Sequence, residues 1–196
     1  MKNFAKIGLA LAVVFTTLSA RAGEYDFSLT VTKENGKSVS FSVTDAEKVQ
    51  FSIYKGNEEI LFEETAKGEK AINRTYDLAA FPDGVYYLEA ETSSKIARYE
   101  ITVANNAAII SKAPVTEIYK PVIVKENGII TLTVPNTKTT PVEISVYDQN
   151  NGEAYNETVT NTANITKKFN VAKSAAREFT FVVNYSGKSF IQTIKK

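Results

Sequence analysis

The 196-residue sequence contains no cysteine, no histidine and no tryptophan. These absences exclude disulfides, thiol nucleophiles, Ser-His-Asp triads and zinc sites built on cysteine or histidine. Glycine and proline are scarce, at 9 and 5 residues, which excludes collagen-like and low-complexity chains. Neither charge sign dominates: 23 Lys+Arg face 22 Asp+Glu. The balance therefore points neither to nucleic acid as a partner nor to charge-driven disorder. What the chain does have is apolar material, 43% hydrophobic residues with 10 Tyr and 11 Phe, enough for a sizeable core.

The first residues read as a leader. Lys2 and Lys6 precede the apolar run Ile7 to Leu18, and Ala20-Arg21-Ala22 places small residues where a signal peptidase reads. This three-part pattern predicts a signal peptide over 1–22, cut before Gly23. A spanning helix needs about 20 apolar residues, so the run is too short for an anchor, and no membrane span is expected after cleavage. The expected location is extracytoplasmic: periplasm, cell surface or medium. A cysteine-free chain there must be held by packing alone.

Self-comparison exposes a repeat. Lys33-Glu34-Asn35-Gly36 recurs 92 residues later as Lys125-Glu126-Asn127-Gly128. Val49-Gln-Phe-Ser-Ile-Tyr54 recurs 93 later as Val142-Glu-Ile-Ser-Val-Tyr147, and Ile72 to Leu78 recurs as Ile165 to Val171. Two related domains are expected, over 23–106 and 107–196, with 104–118 (which contains Pro114) as a short linker and broken first strand. Strands are expected at 27–33, 37–43, 48–55, 59–64, 71–78, 84–92 and 95–103, most with period-two alternation. Asn35-Gly36 and Asn151-Gly152 are hairpin signals, because a type I′ turn needs positive φ at both central residues. Seven short strands in about 80 residues predict an all-β fold of two tandem immunoglobulin-like or fibronectin-like sandwiches. The halves differ in charge: 23–104 holds 9 basic and 15 acidic residues, and 105–196 holds 11 and 7. Drift of solvated faces and an electrostatic head-to-tail contact, within a chain or between copies, both fit that asymmetry.

Tyr86 follows the turn Pro82-Asp83-Gly84 and is expected to be a structural corner, its hydroxyl returned to nearby backbone and its ring in the core. The stretches Val49 to Tyr54 and Tyr76 to Ala90, with Ile194-Lys195-Lys196 at the end, resemble the carboxy-terminal sorting domains of type IX secretion cargo. The resemblance implies a small immunoglobulin-like sandwich in an envelope context, and a role as cargo or accessory of that system.

The search for chemistry yields no catalytic, cofactor-binding or metal-ligating set, and no enzyme is expected. Ser52-Ile53-Tyr54-Lys55 matches Ser-x-x-Lys, but on a strand its ends point to opposite faces. Asp148 to Glu153 suggests a calcium loop only faintly and reads better as a turn. Glu89 and Glu91 share a face. A Ser93-Ser94 turn, however, sets Glu89 opposite Arg98, as an ordinary cross-strand ion pair on the solvent face. In the second domain a Ser186-Gly187 turn sets Val183 opposite Phe190, facing the core, and Val182 opposite Ile191, facing outward. Tyr54, Tyr87 and Tyr147 also fall on outward faces. Val182, Ile191 and Tyr147 are thus the candidate interaction surface, for a protein or glycan partner at the cell surface. The leading expectation is a non-catalytic binding or scaffolding protein. An accessory or cargo of type IX secretion is the second reading, and a carboxylate-dependent hydrolase the third.

Overall fold

Period-two alternation places Val39, Phe41 and Val43 on one side of a strand, and Val49, Phe51 and Ile53 on one side of the next; all six are buried. The computed structural model describes residues 27–56 and 59–196, and the expected leader lies outside the described residues. Every regular element among the described residues is a strand.

Residues 27–118 form one compact unit and residues 119–196 a second. In the first, β1 (Ser28–Asn35), β2 (Ser38–Thr44) and β5 (Ala71–Asp77) make an antiparallel sheet in the order β1-β2-β5. The facing sheet is built from β3 (Lys48–Lys55), β4 (Ile60–Lys67), β6 (Gly84–Glu91) and β7 (Lys95–Ala104), in the order β4-β3-β6-β7. The second unit repeats the plan. Here β10 (Val122–Glu126), β11 (Ile129–Pro135) and β14 (Asn164–Asn170) make the three-stranded sheet. The other sheet takes β12 (Val142–Asp148), β13 (Glu153–Val159), β15 (Glu178–Tyr185) and β16 (Lys188–Lys195), in the order β13-β12-β15-β16. Three strands against four, twice, is the immunoglobulin-like sandwich architecture.

The two cores are held by the same contacts at equivalent positions. Tyr76 packs edge-on against Phe41, Phe51 and Phe62, with centroids 5.3, 6.4 and 5.3 Å away. Its counterpart Phe169 packs against Phe181 at 5.3 Å and Tyr155 at 5.2 Å. Offset edge-to-face pairs of this kind add roughly 0.5–1.5 kcal/mol beyond area burial. Beside them lies an ion pair at the same place in each unit, Arg74–Glu64 at 2.8 Å and Lys167–Glu157 at 2.7 Å. A tyrosine hydroxyl donates to each carboxylate, from Tyr76 in one unit and Tyr155 in the other. Burial, then the hydrogen bond to Glu64, pushes the Tyr76 hydroxyl far above its ordinary range, so it remains a neutral donor.

The boundary differs from the expected 106/107. Residues 107–118 belong to the first unit, and the division falls after Ile118. Asn105 and Asn106 both take left-handed φ, 50° and 62°, and turn the chain back on itself. β8 (Ala107–Ile110) then pairs antiparallel with β7, Ile110 opposite Ile101, and β9 (Thr116–Tyr119) pairs with β7 further along. Ala108 N–H donates to Gly36 O at 2.8 Å and Ile110 N–H to Glu34 Oε1 at 3.0 Å, tying this segment to the β1–β2 hairpin as well. Asn-Asn between two apolar alternations is a hairpin signal of the Asn-Gly kind, and Pro114 obscured it.

Turn chemistry also departs from expectation. In the first hairpin Asn35 still belongs to β1, and the left-handed residue is Gly36 (φ 59°), because a bulge between Val31 and Lys33 shifts the register. Asn127 and Gly128 both take positive φ, the type I′ requirement. At Asn151-Gly152 only Asn151 does.

Burying Ile110 in the first unit's core stabilises it by at most about 1.5–3 kcal/mol. A fragment over 23–118 is therefore expected to unfold in urea at a clearly higher midpoint than one over 23–106. Equal midpoints would show that 107–118 is no part of this core.

Candidate functional site

The outward faces of the two larger sheets, six-stranded in the first unit with β8 and β9 and four-stranded in the second, carry the residues singled out above, and the registers place them. Glu89 pairs with Arg98 and Ser52, while Val182 pairs with Ile191 and Ser145. These are equivalent positions in the two units. A serine lies beneath each: Ser52 Oγ donates to Glu63 Oε1 at 3.2 Å, and Asn156 Nδ2 donates to Ser145 Oγ at 3.2 Å.

In the first unit the site is an ion pair, but not the solvated one expected. Glu89 is 3% exposed. Arg98 donates to Glu89 Oε2 from both Nε (3.1 Å) and Nη2 (2.9 Å). The rings of Tyr54 and Tyr87 lie 5.0 and 5.6 Å from the guanidinium carbon and flank it. Alternation put the tyrosines outward, and nothing in it foretold that they would fold over the arginine. Glu91 stands opposite Ile96.

In the second unit the same spot is aliphatic. Ile191 is 69% exposed and Val182 is half-buried beside it. Tyr147, also half-buried, stands opposite Thr180, one pleat along the same face. Val183 is wholly buried, and its cross-strand partner Phe190, on the same side, is half covered. The cause is the missing neighbour: β8 and β9 cover β7 in the first unit, whereas β16 pairs with β15 alone among the described residues.

Tyr86 is 2% exposed, donates its hydroxyl to Pro82 O at 2.8 Å and packs its ring on Phe81 at 5.0 Å. The Ser-x-x-Lys match has no shared face, since Ser52 pairs with Glu89 outward and Lys55 with Tyr86 inward. Asp148 Oδ1 accepts from the N–H groups of Asn150 (2.8 Å) and Gly152 (2.9 Å), so this carboxylate closes a turn. Two buried polar residues went unseen in the sequence. Asn136 clamps a loop through bonds from Nδ2 to Thr140 O (2.7 Å) and Thr162 O (2.9 Å). Lys95, 4% exposed, reaches Phe27 O at 3.0 Å and Glu117 at 3.1 Å. Neither has a sequence signal, because Asn and Lys are ordinary loop and surface residues. Burial also pushes the Tyr185 hydroxyl, which donates to Tyr119 O, far above its usual range.

Removing Arg98 leaves a buried carboxylate without its partner. Arg98→Ala is expected to destabilise the first unit by about 3–5 kcal/mol, against roughly 0.2–1 for an exposed pair. Equilibrium unfolding decides it; a loss in the lower range would mean that Glu89 reaches water. Tyr86→Phe should cost about 0.5–1.5 kcal/mol and Tyr86→Ala about 3–5. If the alanine variant melts with wild type, Tyr86 does not hold the corner.

No family model matches the chain, and no curated protein matches it. Among solved structures it is similar to one described as "Biofilm associated protein - BSP domain", with 15% identity and a TM-score of 0.28. That similarity covers 85% of this chain and 29% of the other, so the chain spans under a third of that structure's length.

Proposed function

We propose that the protein is a non-catalytic, extracytoplasmic binding or scaffolding module that engages a protein or glycan partner through the outward face around Val182, Ile191 and Tyr147. One observation carries this reading. At a position where the first unit buries Glu89 and Arg98 under tyrosines, the second unit presents Val182 and an Ile191 that is 69% exposed. An exposed aliphatic beside a tyrosine on a flat sheet gives a partner both apolar area and a hydroxyl. The extracytoplasmic setting rests on the leader pattern over 1–22, and the likeness to sorting domains makes type IX secretion the route to test.

The discriminating variant transplants the first unit's own pair, Val182→Glu with Ile191→Arg. Opposite charges directly across two strands are compatible with the sheet, so stability is expected to stay within roughly 0.5 kcal/mol. Affinity for a partner captured from the native envelope and then purified is expected to fall about tenfold or more. Undiminished binding by the folded variant would overturn the assignment of this face. Fractionation of a strain lacking type IX secretion checks the route: an unchanged periplasmic location removes that role.

A further inference from the structure

The loop after β5 and the loop after β14 share a backbone course and differ in what fills them. Ala79 N–H donates to Asp77 Oδ1 at 2.9 Å, and Ala172 N–H to Asn170 Oδ1 at 3.1 Å. Two residues on, Phe81 N–H donates to Leu78 O at 2.9 Å, and Ser174 N–H to Val171 O at 3.1 Å. Each loop then leads to a buried ring, Tyr86 in one unit and Phe179 in the other, both 2% exposed. Ser174 therefore stands where Phe81 stands. In the first unit Phe81 packs against the core, its ring 5.0 Å from that of Tyr86. In the second unit the same position carries only a hydroxymethyl group. There a hollow of about 360 Å³ lies between this loop and the turn that joins β12 to β13.

What surrounds the hollow suits a ring. Buried Phe179 and Ala176 line its depth, and Ala154 and Ala175 add apolar surface. Gln149, Asn150 and Ser174 bring amides and a hydroxyl to it. The walls are held in place. Arg177 N–H donates to Gln149 Oε1 at 2.9 Å, which ties loop to turn, and Lys196 Nζ donates to Ser174 O at 2.6 Å. Pockets of roughly 300–1,000 Å³ with apolar lining and a few placed polar groups are the usual form of a binding site, and a preformed one avoids the cost of ordering loops. We propose that this hollow is a second binding site, separate from the Val182 face, and that it takes a phenylalanine or tyrosine side chain of a partner polypeptide. The first unit supplies the precedent for the occupant, since it fills the same place in the same fold with a phenyl ring carried on a peptide. With the ring inserted, the peptide groups beside it meet Gln149, Asn150 and Ser174.

The test uses N-acetyl-phenylalanine amide as probe and N-acetyl-alanine amide as control, each titrated into the isotope-labelled chain over 23–196. The phenylalanine probe is expected to shift the amide resonances of Gly152, Ala154 and Ala176, and to bind about tenfold or more tightly than the control. Ser174→Phe refills the hollow with the first unit's own residue. It is expected to weaken probe binding about tenfold or more, with an unchanged circular dichroism spectrum. Ala154→Phe, at an exposed strand position, obstructs the same hollow and is expected to give the same loss should Ser174→Phe fail to fold. Val182→Glu with Ile191→Arg is expected to leave probe binding unchanged, which separates this site from the sheet face. The proposal is refuted by amides that stay unshifted, by equal binding of the alanine control, by undiminished binding in either folded phenylalanine variant, or by a loss in the Val182 and Ile191 double variant.

Discussion

Backbone hydrogen bonds at the margin of a sheet have to end on something, and this constraint organises most of what distinguishes the two units. Their interiors are nearly interchangeable: the Tyr76 and Phe169 clusters, with their flanking ion pairs, occupy equivalent places. Their margins are not. The first unit recruits 107–118 to close one side, and by doing so buries Ile101 completely and brings Ala108 and Ile110 into its core. The second unit has no such segment among the described residues, and its equivalent of Ile101, Ile194, is left half covered. A difference of one hairpin thus alters which apolar side chains count as core.

The duplication and the strands were legible because they rest on alternation, which a sheet enforces residue by residue. A slip of one residue would reverse every side chain, so register is strongly specified wherever one face is buried. Thus Glu89 stands opposite Arg98 and Val182 opposite Ile191, as the turns at Ser93 and Ser186 require. The unit boundary was not legible. Whether 107–118 packs backward or forward depends on Asn105 and Asn106 taking left-handed φ, and Asn tolerates that conformation without demanding it.

The candidate site was legible in position and misread in environment. Alternation puts Glu89, Arg98, Tyr54 and Tyr87 on one face but says nothing of how long side chains lie down on it. Guanidinium stacks on aromatic faces, and a β-strand places Tyr54 and Tyr87 within reach. The outcome is a carboxylate removed from water on what pattern alone assigns to the solvent side. Asn136 and Lys95 show the converse, since polar residues in unremarkable sequence contexts become buried staples through contacts far along the chain.

These observations together separate what duplication preserves from what it frees. Positions that fill the space between sheets are constrained twice over, by volume and by alternation, and the repeats agree there even where side chains differ, as with Tyr76 and Phe169 or Leu88 and Phe181. Positions on the outer face and at the margins are constrained only by what lies beyond the unit. At those positions the repeats diverge in chemical kind, an ion pair against aliphatics on the face, and Ile60-Leu61-Phe62 against Glu153-Ala154-Tyr155 at the start of the equivalent strands β4 and β13.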